Sequence, residues 1–375
     1  MQSTWYNYWI IQVYTYDMSR DRIRNLGITI GTFPTGKHNA ITDVPGVLVG
    51  HTTLLYDQPR VARTGVTAIV PRDGAIWTDY AFAGHYAFNG NGEMTGMLWL
   101  EESGMLGSVI GITNTYAVGA VHDALISYWV DHGKDDGFLL PVVAETYDGW
   151  LNDINAFHVT KEHVYQALAK ASSGSVDEGN VGGGTGMICH AFKGGIGTAS
   201  RLVSVACGSY TLGVLVQANY GDRSLLRVNG APVGRDIDHH QIALPWVTSP
   251  WDGSIIVVIA TDAPLLPAQC KRLAKRATVG LARVGGTGHN SSGDIFLAFA
   301  TGNHLPCNCS TLRSLEMVPH GQMNAFFDAV AEAVEEAILN ALSMAETMKG
   351  LHDRVAYALP LDQLKRVLIH YQAMR

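Results

Sequence analysis

The run SIIVVIAT at residues 254–261 restricts the fold more than any other stretch of the chain. It is uncharged and rich in β-branched residues, the pattern of a strand covered on both faces rather than on one. Such a strand needs a layer above and a layer below, so the chain must build a covered sheet. DIFLAFAT at 294–301 repeats the pattern. Pro267 to Val284 and Gln322 to Thr347 read as helices, the second with Phe326, Val330, Val334, Ile338, Leu342 and Ala345 on one stripe and Gly350 beyond its end. Upstream, ITDVPGVLVGH and GVTAIVPRDG read as strands joined by turns, and LLPVVAE (139–145) as a buried strand. Tyr116 to His132 has helical spacing and stops at Gly133, and Thr160 is positioned to cap a short helix over Lys161–Ala171. MICHAFK, RLVSVA and YTLGVLVQA read as a meander of strands. Strands alternating with helices long enough to cover them predict an α/β fold of sheets sandwiched by helices.

Hydrophobic residues make up 47% of the 375 positions and charged residues 16%, enough apolar material for one large core. No linker divides the chain, so a single domain over 1–375 is expected. The net charge of −7 and the lack of a Lys/Arg cluster argue against nucleic acid or an anionic membrane as partner. Cys189, Cys207, Cys270, Cys307 and Cys309 are odd in number and scattered, so no disulfide framework is expected. Cys307-Asn-Cys309 has no second Cys/His pair at a zinc spacing, so no metal is expected, and nothing calls for a cofactor. The first seventeen residues are aromatic and lack the basic start, long apolar run and cleavage site of a secretory signal; Met18 offers an alternative start. A cytoplasmic, reduced setting is the expectation. The loop Gly179–Gly186 (GNVGGGTG) matches neither the phosphate-binding P-loop nor the dinucleotide fingerprint, and is expected to line a site or pack closely on backbone.

Asp252-Gly253-Ser254 stands where a turn-rich stretch runs into the buried strand. A hydroxyl there can attack the Gly253 carbonyl, which no side chain shields. The freed Ser254 would then carry an α-amine of pKa about 7.7–8.0 beside its own hydroxyl, a base for nucleophilic catalysis. Taken alone, Gly-Ser before a strand is more often a turn. Other polar groups also sit at strand ends. Ser291, Ser292 and Asp294 open the 294–301 strand; Glu145 and Tyr147 end the 139–145 strand; Asn219 ends YTLGVLVQA. A second serine oriented by an acid can hold the nucleophile's proton, a carboxylate can hold a substrate ammonium, and Asn or Tyr can donate to an oxyanion. Each is also ordinary turn chemistry. His85, Asn89 and Asn114 are weaker candidates, and aromatic residues in 145–150 and 84–90 could wall a pocket or simply pack in the core.

Asn180 to Arg201, the VQANYG segment, the Gly-Ser junction before IIVVIATDAPL, the late SSGD, ITDVPGVLVGH and AETYDGWLND, in this order, resemble the self-processing serine aminopeptidases. That family includes the L-aminopeptidase/D-esterase-amidases and the β-aminopeptidases, and the resemblance covers about residues 20–370. It implies a four-layer α/β/β/α sandwich like that of N-terminal-nucleophile hydrolases with different connectivity. It further implies self-cleavage between Gly253 and Ser254 into chains 1–253 and 254–375, and assembly of these units into a homo-oligomer. Small peptides, amides and esters are the implied substrates. Matched position by position, Ser254 is the nucleophile, Ser292 and Asp294 its supporting hydroxyl and acid, Asn219 and Tyr147 the oxyanion donors, and Glu145 the group holding the substrate amine. Asp294 departs from the Glu of some relatives, and Tyr147 leans toward the L-aminopeptidase/D-esterase branch. An acyltransferase of the ornithine-acetyltransferase type is the alternative, although those relatives use Thr as nucleophile. A nucleotide-binding module resting on the glycine loop is the third reading, and a thermal-shift screen with nucleotides tests it.

Overall fold

Alternate residues of the 254–261 run face opposite layers. Ile255, Val257 and Ile259 lie in one apolar core and Ile256, Val258 and Ala260 in another, all fully buried. Burial of each Ile or Val side chain is worth about 1.5–3 kcal/mol, which is why an uncharged β-branched run ends up between two layers. The computed structural model describes residues 19–133, 137–246 and 253–374. The aromatic first seventeen residues and Asp252 lie outside them.

Strands β1 (Leu48–Tyr56) and β2 (Ala62–Val70) form an antiparallel hairpin, and β3 (Asp79–Ala87) leaves for a second sheet. After helix α1 (Met97–Ser103) and the short β4 (Met105–Leu106), β5 (Ile110–Asn114) returns to the first sheet. Helix α2 (Val118–His132) then crosses to β6 (Val142–Thr146), parallel to β5, and α3 (Lys161–Ala169) follows. A miniature hairpin of β7 (Ile188–Cys189) and β8 (Phe192–Lys193) precedes the long antiparallel pair β9 (Gly195–Val205) and β10 (Gly208–Asn219). Past α4 (Val233–Asp236) come β11 (Ser254–Thr261), α5 (Pro267–Val284), β12 (Asp294–Pro306), α6 (Met323–Met344) and α7 (Leu361–His370).

One sheet runs β1-β2-β5-β6 and the other β4-β3-β12-β11-β10-β9. A core including Val121 and Leu125 of α2 and Val164 of α3 joins the first sheet to one face of the second. A second core packs the opposite face against Leu273, Ala277 and Leu281 of α5 and Val330, Val334 and Ile338 of α6. The layers are therefore α/β/β/α.

Two local expectations are revised. MICHAFK is a tight hairpin, not one strand: His190 and Ala191 take left-handed φ of 49° and 55°. Arg223 supports that turn, donating to the carbonyls of both residues while its guanidinium lies 3.4 Å from the Phe192 ring centroid. Helix α6 is enclosed well beyond its apolar stripe, since Glu332, Glu336 and Asn340 are buried too. The two glutamates face Arg201 of β9, which is fully buried and bonds Glu336 Oε2 at 2.7 Å and Glu332 Oε2 at 3.1 Å. Burial alone would raise the Glu336 carboxyl, but Arg24 and Arg201 outweigh it and hold it below its usual range. Of the two expectations for the glycine loop, close packing on backbone holds: a Cβ on Gly184 would lie 2.5 Å from Ile196 N, and one on Gly183 2.7 Å from the Ile112 carbonyl oxygen. No helix among the described residues is long and apolar enough to cross a membrane.

Candidate active site

Strand β11 begins where two neighbours bring polar groups. It is antiparallel to β10, which sets Ser254 opposite Asn219, and parallel to β12, which sets Ile255 beside Asp294. Because β11 and β12 run the same way, both their first residues open at one sheet edge, and the antiparallel β10 ends there. Gly253 lies so close to β10 that a Cβ on it would be 1.6 Å from the Asn219 carbonyl oxygen. Steric exclusion by a neighbouring strand requires glycine here; its backbone φ is unexceptional.

Ser254 Oγ accepts a hydrogen bond from the Gly293 N–H at 3.0 Å. Ser292 Oγ stands 2.6 Å from Asp294 Oδ1 and within hydrogen-bond reach of the Gly253 carbonyl oxygen. Asn89 completes the group, its Nδ2 donating to Asp294 Oδ2 at 3.1 Å and its Oδ1 accepting from the Asp294 N–H at 2.5 Å. Burial pushes the Asp294 carboxyl above its usual range, and bonds from Ser292 and Asn89 oppose that rise.

A cavity of about 540 Å³ opens on the other side of Ser254, with Gly253, Thr115, Glu145, Tyr147 and Glu93 among its walls. The buried Glu145 carboxylate accepts from the Glu93 N–H at 2.9 Å through Oε1 and from Thr115 Oγ1 through Oε2. Burial raises its pKa, countered by those two bonds. The lining described carries two carboxylates and no Lys, Arg or His, so the cavity favours a cation. Asn219 is fixed by its neighbours: its Oδ1 accepts from the Ile188 N–H at 2.8 Å and its Nδ2 donates to the Tyr147 carbonyl at 3.0 Å. Tyr147 is half-buried, and burial raises its phenol pKa. Next to it, Asp148 is fully buried with a pKa pushed up to about 7 by desolvation, and its Oδ1 accepts from Asn152 Nδ2 at 3.0 Å.

The structure thus places Gly253, Ser254, Ser292 and Asp294 in one connected group and Glu145 and Tyr147 around the adjoining cavity, with Asn219 opposite Ser254. Asn89 joins the Asp294 cluster, more central than its sequence context suggested. Asn114 instead caps the turn at 115–117, accepting from the N–H groups of Tyr116 and Ala117. His85 lies 3.9 Å from Glu101, away from the cavity lining. Of the two aromatic segments, only Tyr147 lines the cavity; Trp150 packs edge-on against Trp246. Sequence reasoning missed Thr115 and Glu93. A hydroxyl immediately after the β5 end was the available signal for Thr115, while Glu93 had none.

The profile of peptidase family S58 matches residues 39–356. The β-peptidyl aminopeptidase BapA of Sphingosinicella microcystinivorans is 46% identical over 370 residues, covering 94% of this chain and 93% of its own. Among solved structures, a β-aminopeptidase from Burkholderia sp. is 50% identical with a TM-score of 0.87, over 93% of this chain and 99% of its own. The L-aminopeptidase D-Ala-esterase/amidase of Ochrobactrum anthropi, a prototype for the serine aminopeptidases with a variant of the Ntn-hydrolase fold, is 44% identical. Its TM-score is 0.89 over 94% of this chain and 99% of its own.

Proposed function

Since the chain belongs to peptidase family S58 and is a serine-type aminopeptidase, we propose that it matures by cutting itself before Ser254 and then works through an acyl-enzyme on that residue. One observation carries this reading: Ser254 lies between the Gly253 carbonyl with its Ser292–Asp294 partners on one side and the Glu145-lined cavity on the other. In the mature form the Ser254 α-amine would take the proton of its own hydroxyl as the oxygen attacks a substrate carbonyl. Glu145 would hold the substrate ammonium, and Asn219 and Tyr147 would donate to the oxyanion. The amine then returns the proton to the leaving group, and water releases the acid. The cut segments would stay together because β11 is paired on both sides, with β10 and β12.

The substrates on this reading are small N-terminal residues of peptides, amides and esters. Likeness extends both to β-aminopeptidases and to an L-aminopeptidase D-Ala-esterase/amidase, so preference is settled by rates on L-alanine, D-alanine, glycine and β-alanine amides and esters. Denaturing electrophoresis and N-terminal sequencing test the maturation: two fragments are expected, the second starting at Ser254. Ser254→Ala should leave one intact, inactive chain. An uncut wild type with full amidase activity refutes the proposal.

A further inference from the structure

Ser292 has one hydroxyl hydrogen and two acceptors in reach, the Gly253 carbonyl and Asp294 Oδ1. It can serve only one of them at a time. An ionised Asp294 claims the hydrogen through a charge-assisted bond and leaves the Gly253 carbonyl without it. A protonated Asp294 instead donates to Ser292 Oγ, which turns its own hydrogen onto the Gly253 oxygen. Asn89 decides where the carboxyl proton sits. Its amide is oriented by the Asp294 N–H on Oδ1, so its Nδ2 donates to Asp294 Oδ2 and leaves the proton to Oδ1, the oxygen facing Ser292.

Resting on the self-cleavage reading above, we propose that Asp294 is a proton-controlled switch between the two reactions of Ser254: protonated, it drives cleavage of the Gly253–Ser254 bond, and ionised, it serves substrate turnover. In the first reaction Ser254 Oγ adds to the Gly253 carbonyl carbon while Ser292 donates to the developing oxyanion. The C–N bond to Ser254 breaks, the C–Oγ ester forms, and the Ser254 hydroxyl proton ends on the departing nitrogen. Water then splits the ester, leaving a carboxyl on Gly253 and restoring the Ser254 hydroxyl. Asp294 and Ser292 finish with the protons they began with. In the second reaction no Gly253 amide remains to polarise, and acid that protonates Asp294 also protonates the Ser254 amine needed as base. Maturation and turnover therefore respond to pH in opposite directions.

Other groups around Asp294 bear on the switch. His289 reaches it from the loop before β12 and, when charged, favours the ionised carboxylate. Tyr220, just past β10, is buried with its phenol held well above its usual range, so it stays neutral. The Ile255 N–H also favours the ionised form. Burial of the carboxyl acts the other way and brings its protonation closer to neutrality.

The test follows the full chain made in a cell-free system and shifted to buffers from about pH 8 to about pH 5. Appearance of the fragment starting at Ser254 is timed on denaturing gels. Cleavage should accelerate as pH falls, approaching about tenfold per unit while Asp294 is mostly ionised, and amide hydrolysis by the mature enzyme should fall over the same range. In Asp294→Asn the oxygen faces Asn89 and the amide donates permanently to Ser292. That variant should cut itself at a rate that no longer follows pH, yet turn over amides at least about 100-fold more slowly. His289→Gln should keep the wild-type slope. Cleavage that is flat or faster at high pH, an Asp294→Asn chain that retains the wild-type slope or folds without cutting, or a slope abolished in His289→Gln overturns the switch while leaving self-processing in place. Absence of any cut before Ser254 at every pH sinks the self-processing reading itself.

Discussion

Replacing Gly253 by alanine would put a methyl carbon 1.6 Å from the Asn219 carbonyl oxygen, 2.6 Å from its carbonyl carbon and 3.1 Å from Tyr220 Cα. Ordinary contact begins at 3.4 Å, so about 1.8 Å must open (3.4 − 1.6), and every obstructing atom is backbone that cannot rotate aside. Overpacking of this kind costs about 1–3 kcal/mol. The displacement falls on the Gly253 carbonyl, the group the proposed self-cleavage attacks and the one that must stay within reach of Ser292, and a shift of about 1 Å at a reacting centre can cost on the order of 100-fold in rate. Gly253→Ala should therefore slow self-cleavage at least about 100-fold. Combined with Ser254→Ala, so that no cut occurs in either chain, it should lower unfolding free energy by about 1–3 kcal/mol relative to Ser254→Ala alone. Timed electrophoresis reads the first effect and urea titration the second. Cleavage within about threefold of wild type, with an unchanged denaturation midpoint, would mean that contact with β10 does not govern the junction.

Three other perturbations separate the parts of the site. Glu145→Gln removes a charged hydrogen bond worth about 1.5–3 kcal/mol, so kcat/KM on amino-acid amides should fall about 10–150-fold while self-cleavage proceeds. In the wild type the same contact should fade as pH falls through the raised Glu145 pKa, because only the ionised carboxylate holds an ammonium. Asn219→Ala should lower kcat by about 100–1,000-fold if the amide is an oxyanion donor, and should cost a further 1–3 kcal/mol or so of stability because the buried Ile188 N–H loses its acceptor; unchanged kcat refutes the donor role. Arg201→Met takes the buried cation from between Glu332 and Glu336, leaving Glu336 with Arg24 and Glu332 with the Thr32 and Phe33 N–H groups, and denaturant unfolding should register a loss of about 3–5 kcal/mol.

Much of the scaffold could be read locally. The β11 run is apolar on both alternating faces because both of its faces are covered, and α5 begins at its proline and ends before a glycine with φ of 108°, as expected of helix ends. The stripe on α6 was legible as well. Its buried glutamates were not, because Glu332 and Glu336 are tolerated inside through distant partners: Arg201, more than a hundred residues earlier in the chain, and Arg24 with the Thr32 and Phe33 N–H groups near its start. The 190–191 turn carries no Asn-Gly signal of the usual tight hairpin. Its left-handed residues are instead held by Arg223, thirty residues on, so local propensity could not announce it. Strand β3, whose segment drew notice for its aromatic residues, His85 and Asn89 but was not read as a strand, is defined by its pairing with β12.

The sequence by itself determined that the chain forms covered sheets with an uncharged strand at their centre, and that a Gly-Ser junction stands at that strand's mouth, since hydrophobic periodicity and turn chemistry act over a few residues. Only the tertiary structure decided what surrounds the junction. Parallel pairing of β11 with β12 and antiparallel pairing with β10 bring Asp294 and Asn219 to the same edge, and Asn89 meets Asp294 across 205 positions of sequence. Strand pairing and the partners of buried polar groups are long-range choices. They depend on which desolvated donors and acceptors find each other when the layers close, and no local pattern of residues encodes that outcome.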